Sequence, residues 1–254
     1  MDKLFDLHGQ TALITGASRG LGKEMALALA GAGANIVLVS RHREELEPAA
    51  AEIAATAGVK TLALVADVTQ RAQVEAAVAK TIETFGRLDI LVNNAGTNIR
   101  APIESIQDDD WAKVQSINVT GVLNGCRAVV PHMIQRGYGR IINIGSALSM
   151  IGLAGRINYC ASKGAVLQMT KALALELASH GITVNCLCPG PFATEINRPL
   201  IDNPIKAQEL LAHVPMARWG EMSEIRTPIV FLASPGASFV TGAVLSVDGG
   251  WVAG

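Results

Sequence analysis

Charge of a single sign is missing from this sequence. Against 21 Lys+Arg stand 22 Asp+Glu, a formal net charge of −1. Nucleic-acid binding is dominated by phosphate neutralisation, so this balance leaves no footprint for such a partner. Long hydrophobic runs are missing too. No uninterrupted apolar stretch approaches the ~18–20 residues of a membrane span, so no membrane partner is expected. The opening Met1 to Gly9 (MDKLFDLHG) has no long apolar region of the secretory kind. Cysteine is sparse: Cys126, Cys160, Cys186 and Cys188 are too few for a disulfide framework in 254 residues. There is no Cys-x-x-Cys, and none of the five histidines lies close enough in sequence to suggest a metal site. The expectation is a cytoplasmic protein with reduced, mostly structural thiols and no metal requirement.

What is present is apolar. Half the residues are hydrophobic, which is ample for a large core and excludes disorder. Short Val/Ile/Leu-rich runs alternate with longer Ala-rich stretches. The runs are Thr11–Thr15, Asn35–Ser40, Thr61–Ala66, Asp89–Asn93, Gly139–Gly145, Thr183–Cys188 and Ala243–Val247. Most are apolar at consecutive positions, as in strands buried on both faces of a parallel sheet. Helical patterns lie between them: Leu21–Ala32, Arg43–Ala57, Arg71–Phe85, Asp109–Arg136, Arg156–His180 and Ser223–Ala233. Strand and helix repeated this way predict an α/β, doubly wound fold with helices on both faces of the sheet. At about 150 residues per domain one or two domains are possible, and one, spanning 1–254, is the reading. Asp109 or Asp110 can cap the helix containing Trp111, and Gly33, Gly58, Gly86, Gly137 and Gly181 punctuate helix ends. From Pro189 to Pro215 five prolines interrupt the rhythm. A long irregular excursion in a compact domain is often a lid, here about 190–217.

The first strand ends in Thr15-Gly16-Ala17-Ser18-Arg19-Gly20-Leu21-Gly22, and a helix follows at once. A dinucleotide pyrophosphate needs close backbone approach and free N–H groups at a helix N-terminus, and glycine permits both. The spacing G-x-x-x-G-x-G also suits a tight turn that packs helix on strand, and its position after the first strand favours the nucleotide. The second strand ends without the carboxylate that would grip a ribose 2′-hydroxyl. Instead it reads Val39-Ser40-Arg41-His42-Arg43. Cations there oppose the helix dipole, whereas a 2′-phosphate would supply their anion, with Arg19 joining from the first turn. NADP is therefore expected over NAD.

Tyr159 and Lys163 stand one helical turn apart on a common face. A free phenol with a pKa near ~10 is a poor base at neutral pH, and a nearby ammonium favours phenolate. This is one of only two tyrosines, and it follows a strand ending in Ile144-Gly145-Ser146. A serine at a strand's carboxyl end lies where doubly wound sheets bind ligands, although turn capping would also use it.

Thr15-Gly16-x-x-x-Gly20-x-Gly22, Asn93-Asn94-Ala95-Gly96, Asn118, Ser146, Tyr159-x-x-x-Lys163, Pro189-Gly190 and the closing Val247-Asp248-Gly249-Gly250 together resemble the short-chain dehydrogenase/reductase family. The resemblance covers essentially the whole chain. It implies a Rossmann fold with a seven-stranded parallel sheet, and a homotetramer. It implies Tyr159 as general acid/base, Lys163 on the nicotinamide ribose and lowering the tyrosine pKa, and Ser146 holding the substrate oxygen. Asn118 resembles the residue that keeps a relay water near the lysine. The cofactor segments it implies are Gly16, Ser18, Arg19, Gly20, Leu21 and Gly22 in the first turn and Ser40 and Arg41 after the second strand. Asp67 and Val68 resemble the adenine site, Asn94, Ala95 and Gly96 the adenosine ribose segment, and Pro189, Gly190 and Thr194 the carboxamide segment. The reaction implied is hydride transfer between a secondary alcohol or ketone and NADP(H), with one proton managed by the protein.

Arg100, in the loop after the fourth strand, could fork a substrate carboxylate or stand as a solvated loop cation. The opening residues, this loop and Met216–Gly220 are similar to the gluconate 5-dehydrogenases and related polyol or sugar-acid dehydrogenases. The 3-oxoacyl-carrier-protein reductases are similar too, but Pro131 and Leu175 stand where those carry basic residues. Leu148 and Phe192 would also suit a hydrophobic ketone, so the small-molecule substrate class stays open. The different-class alternative is a non-catalytic NADP(H)-binding sensor, whose relatives usually lack the Tyr/Lys pair. A sugar-nucleotide epimerase generally needs more than the 91 residues (254 − 163) that follow Lys163.

Overall fold

Seven runs of branched aliphatic residues each form a strand, and the computed structural model describes residues 2–254 (main chain only at Asp2 and Ile196). Met1, which begins the opening stretch read above, lies outside the described residues. The strands are β1 Thr11–Thr15, β2 Asn35–Ser40, β3 Thr61–Val65, β4 Ile90–Asn93, β5 Gly139–Ile144, β6 Ile182–Pro189 and β7 Val244–Val247. All pairings are parallel, in the order β3-β2-β1-β4-β5-β6-β7. The chain reverses direction across the sheet between β1 and β4. In open α/β sheets the ligand crevice forms outside the strand carboxyl ends at that switch point.

The helices are α1 Gly20–Gly31, α2 Arg43–Ala57, α3 Arg71–Phe85, α4 Asp108–Gln115, α5 Gly121–Arg136, α6 Ile157–Leu177, α7 Arg198–Ile201, α8 Pro204–Leu211 and α9 Arg226–Ala233. Two separate cores result. Met25, Leu29, Leu46, Ile53, Ile229 and Leu232 of α1, α2 and α9 pack on one sheet face. Val78, Val122, Met133, Val166 and Leu177 of α3, α5 and α6 pack on the other. A strand buried on both faces reads as an unbroken apolar run, which is why β1, β5 and β6 are buried along their whole length.

Three local readings are corrected. The helix expected from Asp109 starts at Asp108, with Gln107 as N-cap. Its three aspartates occupy the first turn, where they favour the dipole without capping. That helix is also not continuous to Arg136: a π-helical turn, Ser116–Thr120, separates α4 from α5. The proline-rich excursion is not irregular, because it contains α7 and α8. Proline sits at the first turn of both, where no N–H is needed, and the Asn203 side chain accepts from Lys206 N at 3.1 Å. Proline starts these helices rather than breaking them.

Candidate active site

The glycine turn is built before any ligand arrives. Thr15 Oγ1 accepts from the backbone N–H of Asn94 (3.0 Å) and Ala95 (3.1 Å). The Asn94 amide donates back to the carbonyls of Thr15 (2.9 Å) and Gly16 (3.0 Å). The ends of β1 and β4 are thus laced together at the switch point. Gly16 takes φ +63° and Gly20 φ +57°, a region that L side chains rarely adopt. Arg19 caps α1 without a side-chain bond, and no acidic residue fills the first turn. The first-turn N–H groups of α1 therefore meet the cleft without a side-chain partner, as an anion site requires.

The cleft encloses about 510 Å³ and runs along the carboxyl ends of β1, β2, β4, β5 and β6. It is lined by every first-turn residue named from the sequence, by Ser40, Arg41, Asp67, Val68 and Asn94–Gly96, and by Ser146, Leu148, Tyr159 and Lys163. Pro189, Gly190, Phe192 and Thr194 complete that set. Two named residues do not line it. Asn118, held in the π turn, is fully buried. Its amide accepts from Thr97 N (2.8 Å) and donates to Thr97 O (2.9 Å) and Ser162 Oγ (3.0 Å). Arg100 donates to Asn197 Oδ1 at 3.3 Å and so ties the β4 loop to the segment after β6.

At the centre, Ser146 Oγ accepts from Leu148 N (3.1 Å), while Ser146 N donates to Ser149 Oγ (3.1 Å). Both readings of Ser146 hold at once: it caps a turn and lines the cleft. Accepting from Leu148 leaves its O–H free to donate. Lys163 Nζ lies 5.7 Å from the Tyr159 ring centre and donates to the Ile144 carbonyl at 2.7 Å. The expected lowering of the phenol by the amine is not what these side chains produce. Burial pushes Tyr159 up to about 12, against a downward pull from the Ser146 hydrogen bond. Burial likewise pushes Lys163 down to about 8.

The lysine shift has a consequence for stability. Below pH 8 folded and unfolded chains both hold the proton, so the whole desolvation penalty is present. From about 8 up to the ordinary 10.5 only the unfolded chain keeps it, so stability rises with pH. Wild type should therefore gain on the order of 2–3 kcal/mol relative to Lys163→Met between pH 7.5 and 10.5. Urea melts of both proteins at the two pH values measure this, and a pH-independent difference would refute it.

Several residues in the cleft escaped sequence reasoning, Glu45 and Arg156 among them. Glu45, one turn into α2, reaches back so that its carboxylate accepts from Ser18 Oγ (3.0 Å) and Arg19 Nη1 (3.3 Å). Arg19 also pairs with Glu195, in the segment after β6, at 2.9 Å. Arg41 stands 4.0 Å from Asp67. Arg156 stands at the N-cap of α6. Its only sequence signal was a cation where the helix dipole disfavours one.

The short chain dehydrogenase family model matches residues 10–204. Gluconate 5-dehydrogenase of Gluconobacter oxydans (strain 621H) is 43% identical over 247 residues, 97% of this chain and 96% of that one. The 3-oxoacyl-[acyl-carrier-protein] reductase of Thermotoga maritima is 39% identical over 97% of this chain and 99% of that one. A solved gluconate 5-dehydrogenase from Burkholderia cenocepacia J2315, in complex with NADP and tartrate, superposes with a TM-score of 0.96. It is 41% identical and covers 100% of this chain and 99% of its own. With its parallel seven-stranded sheet, its glycine turn and its Tyr/Lys helix, this chain belongs to the short-chain dehydrogenase/reductase family, oxidoreductases acting on CH–OH and ketone groups.

Proposed function

We propose that this protein is an NADP(H)-dependent oxidoreductase that interconverts a secondary alcohol and a ketone, with a polyol, sugar acid or small keto compound as substrate. The observation that carries the reading is the convergence of Ser146, Tyr159 and Lys163 in one cleft beside the glycine turn. The cleft fits a dinucleotide: the uncapped first turn of α1 suits the pyrophosphate, and Asp67 with Val68 suits the adenine. When bound, the nicotinamide supplies or accepts the hydride. In reduction Tyr159 gives its phenolic proton to the carbonyl oxygen, and the Ser146 O–H donates to that same oxygen. In oxidation the proton returns from the alcohol. Lys163 brings a positive charge beside the phenol once it turns from the Ile144 carbonyl toward the ribose. Asn118 fixes the Thr97 backbone at the cleft floor; it and Lys163 Nζ flank Gly96, 3.4 and 3.6 Å from the point a Cβ there would take. The role of Asn118 in this reading is to keep a relay water near the lysine.

The preference for NADP rests on Ser40 and Arg41 at the end of β2, with Arg19 opposite. Arg41→Ala should lower kcat/KM for NADPH ten- to a hundredfold and change that for NADH less than about threefold. Equal losses with both cofactors would reject the preference. Because Glu45 holds Ser18 and Arg19, NADP binding includes its displacement from them.

Carrier-protein reduction is the second reading, and the 39% identical reductase supports it. Pro131 and Leu175 set it back, because both are exposed where a basic surface would be needed. The proposal extends to a cytoplasmic homotetramer of one domain, with the segment 190–217 as substrate lid. Support comes from the apolar side chains left on α5 and α6, with Leu123 and Ile134 over one-third exposed and Leu175 at 85%. Among the described residues no helix is long and apolar enough to cross a membrane, and no cluster of potential metal ligands occurs.

A further inference from the structure

Most cations of this chain have found their anions. Arg19, Arg41, Arg43, Arg71, Arg87, Arg198, Arg218 and Arg226 all pair with carboxylates. Arg156 has not. The residue as a whole is only 8% exposed, and it lines the cleft. Among the described residues its guanidinium forms no ion pair and no hydrogen bond. It sits at the N-cap of α6 and makes no capping bond, and the dipole there disfavours a cation. A nearly buried charge without a partner is costly, and helix formation does not repay it. Arg100, Cys160 and Tyr159 lie close enough to act on its charge, and Ser146, Leu148, Leu153 and Phe192 line the same cleft, none of them acidic. The cleft's carboxylates, Glu45, Asp67 and Glu195, all lie at the nucleotide end against Arg19 and Arg41.

We infer that Arg156 anchors an oxyanion carried by the substrate, a carboxylate or a sulfonate, so that the enzyme prefers hydroxy and oxo acids to neutral polyols and ketones. The inference rests on the oxidoreductase reading above and names the substrate class within it. Guanidinium has five donors and no acceptor, so it matches an oxyanion and leaves a hydroxyl's own proton unmet. Arg100 adds to the demand. Burial first, and then the charge of Arg100, push Arg156 down to about 10, which still leaves the group protonated at neutral pH. Tyr159 stands three residues further along α6, so an anion on Arg156 places a carbinol a few bonds away toward the phenol and Ser146.

The test compares 4-oxopentanoate, 4-oxopentanamide and 3-oxobutane-1-sulfonate, with homologues one carbon shorter and longer. Each is titrated by calorimetry into the protein saturated with NADP+, where a ketone cannot react, and assayed separately with NADPH. At least one anion should bind ten times more tightly than its amide and show a tenfold higher kcat/KM; which anion does so identifies the source. Arg156→Gln should bring the acid-to-amide ratio to within threefold of one, and Arg156→Lys should recover part of it. Amides that bind as well as both anions in wild type would overturn the inference, and that comparison needs no variant to fold. So would an undiminished ratio in a folded Arg156→Gln. Absence of turnover with every ketone would instead count against the oxidoreductase reading, while calorimetry would still report on Arg156.

Discussion

Tyr159→Phe should reduce kcat about a thousandfold in either direction, with NADPH affinity unchanged within about twofold. The substitution removes one oxygen and keeps the ring. In the proposed mechanism the lost atom is the proton carrier, and no other group in the cleft replaces it. Ser146 Oγ is engaged by Leu148 N, and its own O–H serves as a hydrogen-bond donor only. Lys163 faces the Ile144 carbonyl. Stopped-flow NADPH consumption gives the rate, quenching of NADPH fluorescence gives the affinity, and a thermal melt shows that the fold survives. Wild-type turnover by this variant would remove Tyr159 from proton transfer. A fall in NADPH affinity equal to the fall in rate would make it a binding residue.

The second large effect lies at Gly22. A Cβ built there would collide with the Gly16 carbonyl oxygen and lie 2.5 Å from the Asn94 amide. Neither neighbour can yield cheaply, because Asn94 holds the carbonyls of both Thr15 and Gly16. Gly22→Ala should cost about 3 kcal/mol, the upper range for overpacking. At roughly 2–4 °C per kcal/mol for a chain of this size, Tm should fall by about 6–12 °C. NADPH affinity should fall about a hundredfold, because the turn that must move is the one facing the pyrophosphate. Gly31, at the other end of the same helix, is the control. Nothing lies within 4 Å of a Cβ there, so Gly31→Ala should be neutral or stabilising by up to about 1 kcal/mol. Equal melting temperatures for both variants would contradict the steric account.

Readability from sequence followed the range of the interaction. Strand runs and helix boundaries such as Arg43–Ala57 and Arg71–Phe85 are set by periodicity and by left-handed glycines after the last turn, both local signals. The π turn around Asn118 left no local mark. It exists because the amide must reach Thr97 and Ser162, partners 21 and 44 residues away. Helices α7 and α8 were hidden behind their prolines, which are breakers inside a helix and starters at its first turn. Glu45 looked like a solvated first-turn acid until α2 brought it against Ser18 and Arg19.

By itself the sequence determined the alternation of strands and helices and the family. Those depend on residue type and short spacing. The tertiary structure alone decided which charges are left without a partner. Glu45 and Glu195 converge on Arg19, Asp67 comes within reach of Arg41, and Arg156 is buried with no ion-pair partner among the described residues. Coulomb energy and desolvation depend on distances between elements that lie far apart in the chain, and no local pattern encodes those distances.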